Sequence, residues 1–374
     1  MSAPPVNGVV VVGLGAAGAS LAWRLAGSGV PLRVVEAPGA SGRRTQPRTW
    51  CTWGADGPGP FGHLVAASWP RVRVVPRRGA DVVAHLGGWR YRMLRSGDLD
   101  AAVRERLAGA GVAVEEAVVE DAADLRAPGW TVVDTRPVPV PRTGRTLLLQ
   151  HFLGWRVRAA RPVFDASTVT LMDFRLPQPA GGVAFGYVLP TSAHEALVEY
   201  TEFSGEVLGA ERYEELLRAY LHRSGTGEVE VLGTEHGVIP MTDARFPPSG
   251  VPGVLRWGAA AGSVRPSTGY AFSALQRQAD VLAERARAGA ALVLPPPHRR
   301  RHLLMDSLLL EALAGGRVEG AEFFTRMFER NPVQRALGFL DGATGPADDL
   351  RLMATSPRGA MLRTVLGRAL PTGR

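Results

Sequence analysis

An acid in the middle of a strand-like pattern is the first candidate for chemistry. The stretch HEALVEYTEF (residues 194–203) reads as a strand, and side chains on a strand alternate between two faces. Leu197 and Glu199 therefore share one face, whereas Tyr200 and Glu202 share the other. If the face with Leu197 is covered, burial raises the pKa of Glu199 and keeps the acid able to donate a proton near neutral pH. The alternative is an edge-strand carboxylate in water or paired with an arginine.

A glycine pattern near the N-terminus predicts a nucleotide site. The apolar run at residues 8–12 is typical of a buried parallel strand, and Gly13-x-Gly15-x-x-Gly18 follows it at the start of a helical stretch. Gly13 permits a tight turn, Gly15 lets the backbone approach a pyrophosphate, and Gly18 lets helix and strand pack closely. Because the N-terminus of the helix offers unpaired N–H groups to phosphate, we expect this loop to bind a dinucleotide.

The second strand of this segment ends in an acid that fits the same site. Glu36 ends the run PLRVVE, 21 residues after Gly15, where a carboxylate can accept hydrogen bonds from a ribose hydroxyl. We expect Ala16 and Ala17, at the start of the helix, to complete the phosphate contacts. The loop APGASGRR then resembles the Glu…Gly-Arg extension of flavoproteins, in which an arginine reaches the cofactor. It favours FAD over NAD and points to Arg43, for which the alternative is a solvated loop.

The composition restricts the class of protein. The chain has 374 residues, of which 45% are hydrophobic and 21% charged, and all 43 basic residues are arginine. The net charge of +8 favours anionic partners such as phosphates or an anionic membrane surface, but the arginines are scattered, so nucleic acid is not predicted. A lone cysteine, Cys51, excludes an internal disulfide and a thiolate metal cluster, and no metal site is predicted.

The same chain gives expectations about its compartment. One cysteine suits a reducing cytoplasm, and the N-terminal residues do not resemble a signal segment. No stretch reaches the roughly 18 apolar residues of a membrane-spanning helix. We therefore expect a cytoplasmic protein that is soluble or lies on a membrane surface without crossing it.

The order of elements predicts an α/β fold built from separated segments. Strand and helix signals alternate near residues 80–135 and again at 254–289, whereas four strand-like runs between residues 145 and 203 are joined by Pro/Gly-rich turns. The first pattern is typical of a parallel nucleotide lobe and the second of an antiparallel sheet. We assign residues 1–46, 91–137 and 232–290 to the cofactor lobe, 47–90 and 138–231 to a substrate lobe, and 291–374 to a helical C-terminal region.

The segment VLRWGAAAGSVRPSTGYAF (residues 254–272) carries a family resemblance. Its strand, glycine-rich turn and helix resemble the late flavin segment of the aromatic-hydroxylase type of FAD fold, although Ala259 stands where hydroxylases usually carry Asp. The RPSTGY within it resembles the lycopene cyclase family. Further segments resemble that family in the same order along residues 8–342: RTW, VVDTRP, QHFLGWRV, LMDFR, GVIPMT and FFTRMFERNP…FLDG. The resemblance adds these cofactor contacts: Gly258, Gly262, Thr268 and Gly269.

The same resemblance gives the acid of the first motif a role. HEALVEYTEF resembles the family motif Leu-x-Glu-[Glu/Asp]-Thr, whose acidic residue is the proton donor; Glu199 matches the first acid, and Tyr200 replaces the second. Arg48, in RTW, likewise replaces a histidine. Asp173, in LMDFR, is a second carboxylate that could assist the proton transfer or stabilise a cation, with pairing to Arg175 as the alternative. The predicted substrate-lining aromatic residues, each with core packing as the alternative, are Phe174, Tyr187, Tyr200 and Tyr270.

The activity that the resemblance implies is a carotenoid β-cyclase acting on lycopene. A proton reaches a terminal alkene, a second alkene attacks the resulting tertiary cation, and a proton is lost. The resemblance also implies reduced FAD, generated with NAD(P)H, as an electron-rich partner without net redox change. A hydrophobic isoprenoid substrate implies peripheral attachment to the inner face of the cell membrane. Alternatives are a cyclase of another isoprenoid with a similar end group, an FAD monooxygenase, and a non-catalytic carotenoid or flavin binding protein.

Overall fold

Two large sheets of different strand direction meet at one cavity in the computed structural model, which describes residues 7–41 and 47–369. The strands are β1 (Gly8–Val12), β2 (Leu32–Glu36), β3 (Thr49–Gly54), β4 (Val65–Trp69), β5 (Arg71–Val75), β6 (Val82–His85), β7 (Arg90–Arg95), β8 (Val114–Glu116), β9 (Trp130–Asp134), β10 (Leu147–Ala159), β11 (Thr168–Asp173), β12 (Val183–Pro190), β13 (Glu195–Ser204), β14 (Val229–Thr242) and β15 (Val254–Arg256). The α-helices are α1 (Ala16–Leu25), α2 (Ser96–Gly109), α3 (Ala210–Arg223), α4 (Phe272–Arg287), α5 (Arg300–Ala314), α6 (Gly320–Glu329), α7 (Val333–Leu340), α8 (Pro346–Thr355) and α9 (Arg358–Ala369).

The parallel sheet draws its strands from distant segments of the chain, in the order β15-β9-β1-β2-β8. All of its pairings are parallel. β1 has the sequence GVVVV and is buried along its whole length, as expected of a central parallel strand. Side chains of α1, α2 and α4 pack over the face that carries Val9 and Val11. The predicted parallel lobe built from separated segments is therefore confirmed.

The second large sheet has seven strands in the order β14-β10-β13-β12-β11-β5-β6. Its neighbouring strands are antiparallel except β11 and β5, which are parallel. The antiparallel arrangement predicted for the four strand-like runs is confirmed, since they form β10 to β13. β14 pairs with β10 along its length, so residues 232–242 belong to this sheet by strand pairing and not to the cofactor lobe, to which the sequence assigned them.

Helices cover both faces of the seven-stranded sheet. On one face α3 buries Leu217 and Tyr220 against the sheet. The other face shares a core with the C-terminal helices, which contribute Leu310, Phe324 and Leu337. The third sheet, in the order β3-β7-β4, contributes buried residues to this core and to the core of the parallel sheet. The predicted helical C-terminal region is confirmed, and within residues 7–41 and 47–369 no helix is both long and apolar enough to cross a membrane.

Candidate active site

The glycine loop between β1 and α1 borders the cavity. Gly13 has a φ of +92°, a conformation that residues with a Cβ rarely adopt. A Cβ on Gly18 would lie 1.8 Å from the Gly13 carbonyl oxygen, so helix and loop pack too closely for a side chain. A Cβ on Gly15 would meet nothing within 4 Å, because the backbone there faces open space. The loop thus has the geometry of a phosphate-binding turn, and Ala16 and Ala17 line the same cavity.

Glu36 lies at the end of β2, close to the glycine loop. Its carboxylate accepts hydrogen bonds from the backbone N–H groups of Leu14 and Ala37. An ionised carboxylate has about four lone-pair sites, so Glu36 can still accept hydrogen bonds from a ribose. The residue does not itself line the cavity. Arg43, the other predicted cofactor contact of this segment, lies outside the described residues.

The turn between β15 and α4 also borders the cavity. Gly258 and Gly269, with φ values of +86° and +71°, line the cavity together with Thr268. A Cβ on Gly269 would lie 1.9 Å from Oε1 of Gln150, so this glycine lets the turn approach β10 closely. Gly262 does not line the cavity: it has a φ of +73° and ends the short turn that begins at Gly258. Its contact with a cofactor stays a prediction.

A buried ion pair anchors the RPSTGY turn to the C-terminal helices. The side chains of Arg265 and Asp306, on α5, are both fully buried and meet at 3.0 Å. Ser267 donates a hydrogen bond of 2.7 Å to the same carboxylate, and Arg265 also donates to the carbonyl of Phe339 at the end of α7. The C-terminal helices therefore fix the position of a turn that borders the cavity.

The cavity has a volume of about 450 Å³ and extends from the two glycine turns to the face of β13 that carries Glu199 and Thr201. Two buried polar atoms in its wall have no hydrogen-bond partner among the described residues: Nε of Arg48 and Oε1 of Gln150. Because buried polar groups are nearly always hydrogen-bonded, this donor and this acceptor indicate a ligand with complementary polar atoms. In the described part of the chain no group of three or more His, Cys, Asp or Glu side chains is arranged to hold a metal ion.

Glu199 lies on the cavity face of β13, with 7% of its surface exposed. Its neighbour in β10 is Gly154, and Gly154 is also opposite Glu235 in β14. A Cβ on Gly154 would lie 2.8 Å from Cγ of Glu199 and 3.2 Å from Cγ of Glu235, so both side chains lie over the glycine. Burial, and then the neighbouring carboxyl of Glu235, raise the pKa of Glu199 well above its ordinary value. The shift favours the protonated form of Glu199, which is the form that can donate a proton.

Glu235 is a member of this site that the sequence does not predict. Its carboxylate accepts a hydrogen bond of 2.8 Å from the hydroxyl of Thr49, on β3. One signal is available in the sequence: Gly154 lies inside a long strand-like run, and a glycine in a strand interior often marks the close approach of another group. The order of β13, β10 and β14 is needed to identify that group as two acids.

Phenols and a thiol form the cavity wall next to the acid. The Tyr187 hydroxyl donates to Sγ of Cys51 at 3.0 Å and lies 2.7 Å from the hydroxyl of Tyr91. Burial raises the pKa of Cys51 to about 12 and the pKa of Tyr187 well above its ordinary value, so both groups are neutral near pH 7. Trp53 stacks on Tyr91 and meets the ring of Tyr270 edge-on at 4.7 Å between centroids. Of the predicted lining residues, Tyr187 and Tyr270 do line the cavity.

Asp173, predicted as a second catalytic acid, does not reach the cavity. Its buried carboxylate pairs with Arg175 at 2.7 Å and accepts a hydrogen bond of 3.2 Å from Tyr220, on the face of the sheet covered by α3. A register irregularity near the end of β11 interrupts the alternation of side chains, so Leu171 and Met172 both line the cavity and Asp173 faces away. The predicted role is corrected to the alternative, pairing with Arg175.

Two of the four predicted lining aromatic residues also lie elsewhere. Phe174 is fully buried in the core, with its ring edge-on to Phe185. Tyr200 follows the strand alternation to the face covered by α3, where its hydroxyl donates to Glu202 at 2.5 Å. Glu202 lies on the face opposite Glu199, as the alternation predicts. The predicted substrate contacts of Phe174 and Tyr200 are corrected to core packing and to a buried hydrogen bond.

The fold around the cavity is of the aromatic-hydroxylase type that the sequence predicts, and two solved structures share it. A geranylgeranyl bacteriochlorophyll reductase-like protein from Thermoplasma acidophilum is similar with a TM-score of 0.63 and 14% identity, over 96% of this chain and 98% of that one. Klebsiella pneumoniae HpxO, solved in complex with FAD and uric acid, is similar with a TM-score of 0.59 and 16% identity, over 94% and 97% of the two chains. At these identities the likeness defines the fold alone.

The chain belongs to the lycopene cyclase protein family, whose model matches residues 8–366. A lycopene beta-cyclase of Pseudescherichia vulneris is 28% identical over 239 residues. That match spans 60% of this chain and 60% of the relative, which is less than two thirds of the relative's length. The family that RPSTGY and the accompanying segments predict is therefore confirmed.

Proposed function

We propose that this protein is a flavin-dependent cyclase that forms β-ionone-type rings at the ends of an acyclic carotenoid such as lycopene. The observation that carries the proposal is the buried Glu199, with its raised pKa, in the wall of a cavity that both glycine turns border. An alkene is a poor base, so its protonation needs a neutral acid placed in a pocket that excludes water. Membership of the lycopene cyclase family supports the same reaction.

Each chemical step has a group in the cavity wall that suits it. Glu199 supplies the proton, and the carboxylate that remains faces the tertiary cation formed next. Tyr187 and Tyr270 line the same cavity, and a cation–π contact with such a ring is worth about 0.5–2 kcal/mol. The cyclised cation then loses a proton from carbon, so the reaction ends without a net redox change.

FAD is the cofactor that we propose. The glycine loop and the N-terminus of α1, which has no side-chain cap, would hold the pyrophosphate, and Glu36 would accept from the ribose. The unpartnered donor of Arg48 and acceptor of Gln150 fit a ligand with both kinds of polar atom. Reduced with NAD(P)H, the flavin would supply electron density to the cation without being consumed.

Gly15→Val tests the cofactor site. The open space next to Gly15 would be filled by the new side chain, which then occupies the position proposed for the pyrophosphate. We expect the purified variant to contain no FAD and to show no flavin absorbance after incubation with it. The matched control is Gly205→Val, because a Cβ there also meets nothing within 4 Å and the residue does not line the cavity. Normal FAD retention by Gly15→Val would contradict the assignment.

We also propose that the protein attaches peripherally to the inner, cytoplasmic face of the cell membrane. Large exposed apolar side chains occur on three C-terminal helices: Leu304 is 57% exposed, Leu350 67% and Leu362 59%. Arginines accompany them on the same helices, and an apolar surface with nearby cations suits an anionic bilayer. Flotation with anionic liposomes at low salt tests the proposal. Leu350→Ser combined with Leu362→Ser should weaken flotation, and wild-type protein that stays at the bottom would contradict it.

Anaerobic incubation with lycopene, FAD and NADPH is the test of the activity. Chromatography should show monocyclic or bicyclic products, formed without stoichiometric consumption of NADPH. Arg48 and Tyr200 differ from the residues of the family motifs, so the second substrate to try is an isoprenoid with an end group similar to that of lycopene. Oxygen consumption coupled to NADPH and substrate would indicate a monooxygenase instead, and binding of FAD and pigment without new rings would indicate a non-catalytic binding protein.

A further inference from the structure

We propose that Glu235 is a positioning residue that acts through Glu199: the two carboxyl groups hold one proton between them, and the charge of Glu235 keeps that proton on the cavity acid. The inference rests on the proposed function, because it states how the proton donor of that reaction is held. It adds to the site a residue that none of the sequence motifs indicates.

The strand register brings the two acids together across one glycine. Gly154, in the middle strand, is opposite Glu199 on one side and Glu235 on the other. Adjacent strands lie about 4.8 Å apart, so side chains two strands apart meet only where the residue between them leaves room. A Cβ on Gly154 would lie 3.2 Å from Oε1 of Glu199 and 3.2 Å from Cγ of Glu235. Glycine at this position is what permits the contact between the two carboxyl groups.

Thr49 holds in place the carboxylate of Glu235, which is the acceptor of the pair with Glu199. Its hydroxyl donates to Oε2 of Glu235 at 2.8 Å, which ties Glu235 to β3 as well as to its own strand. A contact between two carboxyl groups needs one proton, and Glu199, whose strand is buried along nearly its whole length, is the member that faces the cavity. The geometry therefore makes Glu199 the donor within the pair and Glu235 its acceptor.

The other titratable groups that line this part of the cavity come from several elements. Cys51 on β3, Tyr187 on β12 and Tyr270 in the RPSTGY turn are neutral near pH 7, because burial raises the pKa of each above its ordinary value. Arg48, directly before β3, lines the cavity and is the cation of this set.

The proton balance of the reaction gives Glu235 its role. The O–H bond of Glu199 breaks as a C–H bond forms at the terminal alkene, and the ring cation later returns a proton from carbon to the same carboxylate. Because the loss of a proton is disfavoured beside a second carboxyl group, Glu235 holds the proton on Glu199 before the reaction and draws it back onto Glu199 afterwards.

Glu235→Gln removes the charge and keeps the size of the side chain. Cyclisation should fall at high pH as Glu199 loses its proton, and in this variant that fall should move to lower pH by about one unit or more. A readout that needs no substrate is ¹³C NMR of the FAD-bound protein labelled at the glutamate carboxyls, with the Glu199 signal identified by its loss in Glu199→Gln. Its titration midpoint should shift in the same direction as the activity profile.

The matched control is Glu230→Gln, on the same strand but in an exposed ion pair with Arg158. It should leave both the activity profile and the Glu199 midpoint unchanged. An unchanged midpoint in folded Glu235→Gln would overturn the proposal. If that variant does not fold, Glu235→Asp and Thr49→Val decide the matter, since each displaces the carboxylate, and a midpoint that neither variant shifts would overturn it too. A shifted midpoint in a protein without cyclase activity would support the pair and contradict only the proposed function.

Discussion

Both faces of the seven-stranded sheet bury acids, but the two faces give them different partners. On the face covered by α3, Asp173 pairs with Arg175 and accepts a hydrogen bond from Tyr220. On the cavity face the partner of Glu199 is another acid, Glu235. The first arrangement holds a carboxylate in place, whereas the second raises the pKa of a carboxyl and keeps its proton. Burial alone therefore does not identify a proton donor; the partner and the access to a cavity do.

Glu199→Gln is the substitution with the largest expected effect. The amide keeps the size of the side chain but has no acidic proton to deliver, so we expect cyclisation to fall by about 10²-fold or more, with folding and FAD binding retained. Glu202→Gln, on the opposite face of the same strand, should retain most of the activity. Product formation measured by chromatography under identical conditions compares them. Equal losses of cyclisation in both variants would mean that the face with Glu199 is not the one that delivers the proton.

Asp173→Asn tests the structural role of the acid on the face covered by α3. The substitution weakens an ion pair and a buried hydrogen bond, so we expect the free energy of unfolding to fall by about 1–3 kcal/mol. Urea denaturation measures this change, and cyclisation should fall far less than in Glu199→Gln. A loss of activity as large as that of Glu199→Gln, at unchanged stability, would return Asp173 to the active site.

The pH dependence of the free energy of unfolding is a smaller effect, and it tests the raised pKa of Glu199 without measuring cyclisation. Burial and Glu235 raise the pKa of Glu199 in the folded protein above the ordinary value of 4.5, so the folded protein keeps a proton that the unfolded chain releases. At pH values below the ordinary pKa, this proton contributes its full stability to the folded protein. The contribution is lost as pH rises towards the folded pKa of Glu199, by at most about 1.4 kcal/mol per pH unit.

Glu199→Gln has no such proton to release. The free energy of unfolding of the variant relative to the wild type should therefore rise as pH increases from about 5 towards the folded pKa of Glu199. Urea titrations of both proteins across this range measure the difference. A difference that stays constant would mean that Glu199 ionises as an exposed acid does.

Local patterns in the sequence predict much of this molecule, because local physics determines those features. The glycine loop follows from the backbone conformation that Gly13 adopts and the close packing at Gly18. The opposite orientations of Glu199 and Tyr200 follow from the two-residue period of a strand. In these cases the residues that decide the geometry are neighbours in the chain.

The remaining features depend on contacts between distant segments. The irregularity in β11 turns Asp173 away from the cavity, and nothing in the run TVTLMD marks where the alternation breaks. Glu235 meets Glu199 only because β10 lies between their two strands, an order that a list of strands does not contain. The same pairing moves residues 232–242 from the predicted cofactor lobe into the seven-stranded sheet.

The ion pair between Arg265 and Asp306 has a consequence for how the molecule unfolds. Separating α5 from the RPSTGY turn would leave one buried charge without its partner, at a cost of about 3–5 kcal/mol. The turn and α5 should therefore open together as one cooperative unit, and not by gradual fraying from the C-terminus. A molecule bound against the turn would then protect α5, on the other side of the ion pair, from proteolysis.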